Sequence, residues 1–347
     1  MKTIYTPHLK ERFEACLLCG GIGDAIGWQG STIEFQPAEK INEQIQKRGS
    51  LISFLDRDNR VSDDTILHLA LCKALAKNTP DSSSERNTII TYMLDYFHRY
   101  PARGYGFGTR QIFRKYQEKG IATIMDYDPR GGGCGAAMRI AGVALRYLNQ
   151  PEFIARAMAY SMITHTHPVG FLGGLAVAAF VHDALNDVPH TEWLNRLTDF
   201  YIPAADELFS FSVFSAQHEG VKYFLDKINF FKSHYQDYDN YGDLYREISF
   251  NKISGGWSGH DAPLIAWYAL DKCNNDFEKL LQYAVVHDGD SDSTGAIAGN
   301  LYGAVYGYKN VPVDAINKVE LSIDLTSVAD RLYDLAMRDG IAVNEHA

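Results

Sequence analysis

His287-Asp288-Gly289-Asp290-Ser291-Asp292-Ser293-Thr294 runs directly into Gly295-Ala-Ile-Ala-Gly299-Asn-Leu-Tyr-Gly303-Ala-Val-Tyr-Gly307. The second half of this stretch decides the fold. Its glycines recur at every fourth position, so they fall along one face of a helix. Each costs roughly 1 kcal/mol in a helix interior relative to alanine. A helix that accepts this penalty repeatedly on one stripe is built for the close approach of another backbone, which puts it at the centre of a bundle. The first half sets three carboxylates among serine and threonine hydroxyls at that helix's N-terminus. A second acidic pair, in Ser62-Asp63-Asp64-Thr65, starts another predicted helix, Ile66 to Lys77. We expect these two helix starts to meet and to hold hard metal ions.

Helical periodicity recurs along the rest of the chain, while alternating apolar runs are short and isolated. The fold class expected is all-α, a single compact orthogonal helix bundle with a binuclear metal cleft. Residues 1–10 read as a polar extension and 11–347 as the domain. A hydrophobic fraction of 46% over 347 residues allows a substantial core. The net charge of −10 argues against a nucleic-acid surface. It also means that a phosphate-bearing ligand would need local cations. The cysteines Cys16, Cys19, Cys72, Cys134 and Cys273 are odd in number and scattered. That suits buried thiols in a reducing compartment rather than a disulfide framework. Charged residues precede the first apolar run, unlike a secretory leader, so a cytoplasmic protein is expected. The longest apolar run, Val169 to Val181, is too short to span a bilayer and fits a core helix.

Leu9 to Ile26 reads as a helix ending in a glycine-rich stretch that includes Gly23-Asp24 and Gly27. No strand precedes it, which disfavours a dinucleotide fold. Glu34, in Ile33-Glu34-Phe35, reads either as a surface glutamate or as a carboxyl tuned for proton transfer. Ser82-x-x-Glu85 reads as a capping box. Gly131-Gly132-Gly133-Cys134-Gly135 precedes a helix expected over Ala136 to Leu145. It is either an anion cradle of outward backbone N–H groups or a flexible loop. His165 and His167 lack the further donors of a zinc site. Thr191 to Phe214 reads as helical with a break at Pro203. The aromatic-rich stretch Phe209 to Phe250 reads as core before it reads as a stacking surface. The last helix is expected over Ser322 to Asp339.

Capping explains one acid at a helix start. It explains adjacent acids less well, because like charges in a partly buried site repel. Divalent cations remove that objection, and carboxylate and hydroxyl oxygens suit Mg²⁺, Mn²⁺ or Ca²⁺ over Zn²⁺.

Several motifs, taken in order, resemble the ADP-ribosylglycohydrolase family. They are Gly23-Asp24 to Gly27 with Ile33-Glu34-Phe35, Val61 to Thr65, Gly132 to Arg139, Thr164 to Pro168, Ser258 to Pro263 and Gly289 to Thr294. The finer match, in the Gly132–Arg139 loop, the His-x-His-Pro turn and the Ser258–Pro263 loop, is to the ADP-ribosylarginine hydrolase branch. The resemblance implies two Mg²⁺ ions, with Mn²⁺ as a substitute. The implied ligands are Ser62, Asp63, Asp64, Asp290, Asp292 and Ser293. It implies Glu34 and Asp64 as catalytic carboxyls. The implied substrate contacts are Gly104, Tyr105, Gly106, Gly132, Gly133, Cys134, Gly135, Ala136, Met138, His165, Trp257, Ser258, Gly259, His260 and Asp261. Asp288 stands where the family usually has glycine. The implied reaction releases ADP-ribose from arginine on a modified protein. Alternatives are an ADP-ribose reader without activity, a hydrolase of serine or O-acetyl linkages, and a protein that blocks an ADP-ribosylating toxin through its N-terminal extension. No nucleic acid or membrane partner is expected.

Overall fold

The computed structural model describes residues 8–79, 81–210 and 215–344. Among them helices make up the whole architecture. The nearest thing to a sheet is one isolated bridge between Gly133 and Ser258. The glycine stripe finds its partner in the first helix, Leu9–Trp28. A Cβ on Gly295 would sit 2.5 Å from the Gly23 carbonyl oxygen, one on Gly299 2.0 Å from that of Cys19, and one on Gly303 2.1 Å from that of Ala15. The first helix answers in kind, since a Cβ on Gly23 would lie 2.0 Å from the Gly295 oxygen and one on Gly27 2.2 Å from that of Ser291. Both registers advance by four residues in opposite directions, so the two helices run antiparallel with backbones touching. Asn300 Nδ2 donates to the Cys16 carbonyl at 2.7 Å across the same seam. Gly307 is not part of the stripe. It stands past the helix end with φ +61° and serves to terminate it.

One continuous hydrophobic core surrounds this pair. The Asp63–Leu75 helix and the apolar Pro168–Leu185 helix are buried along nearly their whole length. The latter is therefore the core helix expected from its short apolar run. Pro168 occupies its first turn, where a missing N–H costs nothing, and His167 Nδ1 accepts the Val169 amide at 3.1 Å. All five cysteines are free and buried.

Several expected boundaries move. The first helix already contains Leu9 and Lys10, with His8 as its cap. Residues 1–7 lie outside the described residues. The Ser82–Arg99 helix is capped by Asp81, whose carboxylate accepts the Ser83 and Ser84 amides. Glu85 does not close a capping box. It turns inward and accepts the Tyr147 and Tyr160 hydroxyls, because a buried carboxylate beside two phenols satisfies more groups than a reach back to the cap. The helix expected over Ala136–Leu145 is a 3₁₀ turn, Cys134–Arg139, followed by Ala141–Arg146. The expected break at Pro203 is a π-helical turn, Leu197–Tyr201, with Pro203 in the first turn of Ile202–Phe209. The far end of that stretch, residues 211–214, lies outside the described residues. The last helix extends over Ser322–Asn344.

Candidate functional site

The two acidic corners meet. At the first, Ser62 caps the Asp63–Leu75 helix, its Oγ accepting the Asp64 amide at 3.1 Å. Beneath it Asp24, from near the C-terminal end of the first helix, accepts the Ser62 amide at 3.0 Å and the Thr65 amide at 3.0 Å. The Arg103 carbonyl receives the Asp63 amide at 2.7 Å. At the second corner Asp290 caps the glycine-stripe helix through the Ser293 amide at 3.2 Å, and its own amide donates to the Gly255 carbonyl at 3.0 Å. Glu34, Asp290 and Asp292 each offer an oxygen within 4.8 Å of the others. Asp63, Asp64 and Ser293 line the same cavity, whose volume is about 1080 Å³.

This concentration of carboxyls is costly without a counter-charge. Burial, then repulsion from Asp292 and Asp24, holds Asp63 and Asp64 well above the usual carboxylate range. Burial, then Asp290, does the same to Asp292. Burial pushes Asp290 and Asp24 up to about 6. Burial, reinforced by Asp292 and Asp24, pushes Glu34 up to about 8. Among the described residues Asp64 Oδ2 is buried with no hydrogen-bond partner, close to Asp24, Asp63, Asp290 and Asp292. Hard oxygen donors grouped in this way fit a divalent cation.

The opposite wall is the glycine loop. It is zipped to the loop after Gly256: the Cys134 amide donates to the Trp257 carbonyl at 2.9 Å and the Gly259 amide to the Gly132 carbonyl at 3.0 Å. Gly135 is required by His165, because a Cβ there would lie 2.6 Å from the imidazole Cε1. Cys134 Sγ stands 3.4 Å from both Asp290 Oδ2 and Ser293 Oγ, which ties the loop to the acids. Under the loop lies Arg139, wholly buried. It donates to the Gly135 carbonyl, to the Tyr160 carbonyl at 3.1 Å and to Thr164 Oγ1 at 2.9 Å. Burial lowers its pKa only to about 10, so it stays charged. Thr164 Oγ1 lies 2.7 Å from His165 Nδ1. The same hydroxyl accepts from Arg139, which ties the imidazole to the buried guanidinium. Burial pushes His165 down to about 3, so the ring is neutral. A charged guanidinium fixed behind the glycine loop supplies local positive charge in an acidic protein, surroundings that suit an anion.

Aromatic rings form the mouth: Phe35, Phe107, Tyr127, Tyr223, Phe250 and Trp257. Of the aromatic-rich stretch, Phe231 and Tyr245 are core as expected, while Tyr223 and Phe250 face the cavity.

The sequence placed most of its site residues where the structure brings them together. Glu34, Asp63, Asp64, Gly104, Gly106, Gly132 to Gly135, Met138, His165, Trp257, Ser258, His260, Asp290, Asp292 and Ser293 all line the cavity. Five do not. Ser62 lies under the floor as a cap, and the Tyr105 ring is packed against Phe97 with centroids 4.8 Å apart. Ala136 is buried behind the glycine loop. Gly259 is pressed against the Pro168–Leu185 helix, and Asp261 accepts the Ser258 amide at 3.0 Å from behind. These five shape the wall rather than form it. Asp288 also points away from the cavity. Two roles went unread in the sequence. Asp24 and Arg139 stand out only as charged residues embedded in small and apolar runs, which marks burial but not purpose.

A model of the ADP-ribosylglycohydrolase family matches residues 5–341. The chain is similar to ADP-ribosylhydrolase ARH1 of Dictyostelium discoideum, 27% identical, with 95% of this chain and 96% of that protein aligned. It is similar to ADP-ribosylhydrolase ARH3 of Xenopus tropicalis, 23% identical over 94% of this chain and 96% of that one. A solved ADP-ribosylglycohydrolase-related protein complex has a chain of the same fold. Its TM-score is 0.69 at 22% identity, covering 95% of this chain and 99% of that chain.

Proposed function

The chain belongs to the ADP-ribosylglycohydrolase family, and from that premise we propose that it hydrolyses the N-glycosidic bond between ADP-ribose and an arginine side chain of a modified protein, with two Mg²⁺ ions as cofactors. The observation that carries the reading is the convergence of Glu34, Asp290 and Asp292 within 4.8 Å at the floor of a cavity walled by a glycine loop. The arginine linkage is supported by the match of the Gly132–Arg139, Thr164–Pro168 and Ser258–Pro263 motifs to that branch. An acidic floor also suits a cationic guanidinium leaving group.

Ser62, Asp63, Asp64, Asp290, Asp292 and Ser293 would hold the cations, with Glu34 beside them. When bound, these ions supply neutralising charge and a grip on ribose hydroxyls. The chain's own groups do the rest. The glycine loop, backed by the Arg139 guanidinium, and the neutral His165 ring bind the diphosphate. The aromatic mouth packs on the base and excludes water. Breaking the C–N bond builds positive charge at the anomeric carbon, which the surrounding carboxylates stabilise. Glu34 and Asp64 between them pass a proton to the departing guanidine and take one from the attacking water.

The test is a time course on arginine-linked ADP-ribosyl protein beside a serine-linked peptide. ADP-ribose should be released from arginine, stop with EDTA and resume with Mg²⁺, with Mn²⁺ run in parallel. Release from serine alone refutes the linkage, and indifference to chelator refutes the metals.

A further inference from the structure

The turn that carries Glu34 is closed by the Gln36 amide, which donates to the Ile33 carbonyl at 2.9 Å, and it is held to the rest of the fold at two further points. The Phe35 amide donates to the Gly289 carbonyl at 2.8 Å. The Ala38 amide donates to Asp288 Oδ1 at 2.9 Å. Both acceptors belong to the short segment that continues into Asp290. Ala38 opens the Ala38–Arg48 helix, whose own cap residue, Pro37, brings no side-chain acceptor. Asp288 supplies across 250 positions of sequence the acceptor that a serine or aspartate normally brings locally. Its other oxygen receives Arg246 Nη2 at 2.6 Å, from the Tyr241–Ile248 helix.

Between the two holds the backbone is strained. Phe35 has φ +56°, a left-handed conformation that a bulky side chain rarely adopts. Its ring is 49% exposed, so packing does not impose the conformation. The Gln36–Ile33 hydrogen bond that closes the turn and the holds on either side do. Released at Ala38, the turn keeps its closing bond but loses one of its two anchors to the Asp288–Asp290 segment, so Glu34 is aimed less firmly.

We propose that Asp288 is a positioning residue for Glu34, pinning the turn that aims its carboxyl at the reacting bond. This rests on the role given to Glu34 above. The Arg246 ion pair is a minor part of the device, because both side chains are partly exposed, 42% and 30%, and such pairs contribute little. The acceptor for the Ala38 amide is the working part.

Three variants separate the contributions. Asp288→Ala removes the acceptor and the charge, Asp288→Asn keeps an acceptor, and Arg246→Gln keeps Asp288 whole. With Asp288→Ala, kcat should fall about 10- to 100-fold, as when an orienting partner is lost. The ADP-ribose Kd should change far less than kcat, because Phe35 is the one ring of the mouth carried on this turn. Asp288→Asn and Arg246→Gln should retain most of kcat. Amide exchange over residues 32–38 should quicken in Asp288→Ala and not in Asp288→Asn. A kcat for Asp288→Ala equal to wild type overturns the proposal, as does a parallel loss of ADP-ribose affinity, which would signal general loosening. A wild-type protein that releases no ADP-ribose counts against the proposed reaction instead. The exchange measurement then decides the pinning alone, and unchanged exchange in Asp288→Ala overturns it.

Discussion

Replacing Asp292 with asparagine is expected to remove turnover and, in the metal-free protein, to raise the melting temperature. The two effects have one origin. Asp292 is buried, and its carboxyl is held far above its ordinary range by burial and by Asp290. In the absence of cations its ionised form works against the fold. Asparagine keeps the shape and deletes the charge. Catalysis needs that charge, so kcat/KM should drop about 10²- to 10⁴-fold, equivalent to about 3–5 kcal/mol of transition-state stabilisation. The pH dependence follows from the same shifts. The folded protein binds protons more tightly than the unfolded chain at Asp290 and Asp24, up to about 6, and at Glu34, up to about 8. Their contribution to stability is therefore complete at acid pH below the ordinary carboxylate values. It is lost as pH climbs through 6 for the aspartates and 8 for Glu34. Metal-free protein should melt lower at pH 8 than at pH 5.5, and Mg²⁺ should narrow the gap. Calorimetry at both pH values, with EDTA or Mg²⁺, reads all three effects. An Asp292→Asn protein that turns over normally, or melts lower than wild type under EDTA, contradicts this account.

Gly299→Val should be among the costliest single changes to stability outside the cavity. Two effects oppose each other. A side chain restores helix propensity worth up to about 1 kcal/mol. Against this, its Cβ would lie 2.0 Å from the Cys19 carbonyl oxygen, a backbone atom that cannot rotate away. Overpacking of this kind costs about 1–3 kcal/mol even where side chains can yield. Here the helices must part, and the expected loss is several kcal/mol, about 4 or more, among the largest single-mutation effects. Because the same helix begins at Asp290 and its partner carries Asp24, residual activity should fall further than the folded fraction does. Urea denaturation with turnover measured on the folded fraction tests both halves. A Gly299→Val protein as stable as wild type would mean the seam is not as tight as described.

The seam was legible in the sequence because glycine at every fourth helical position has few other physical meanings. Its partner was half legible, since Gly23 and Gly27 lie in the first helix but share their neighbourhood with Gly20 and Gly21, which obscures the repeat. The acidic corners were legible as doublets. What stayed hidden depends on contacts between distant segments. Nothing local distinguishes Asp24 as the acceptor for the Ser62 and Thr65 amides, or Arg139 as the charge behind the glycine loop. Glu85 matched a capping pattern and was drawn inward by two tyrosines 62 and 75 residues away. Ser62, Tyr105, Ala136, Gly259 and Asp261 belong to motifs whose neighbours form the cavity wall, and pattern alone does not tell the wall from its backing.

The glycine seam joins residues 15–27 to residues 291–303. A ribosome must therefore finish most of the polypeptide before the first helix can meet its mate. Until then that helix waits with a bare, closely contoured stripe that no earlier segment fits, and the acids cannot gather. Long-range closure of this kind is slow and leaves unfinished chains open to aggregation. The protein should thus depend on chaperones during synthesis more than its local helical character suggests, and a chain stopped short of residue 290 should be recovered as insoluble material.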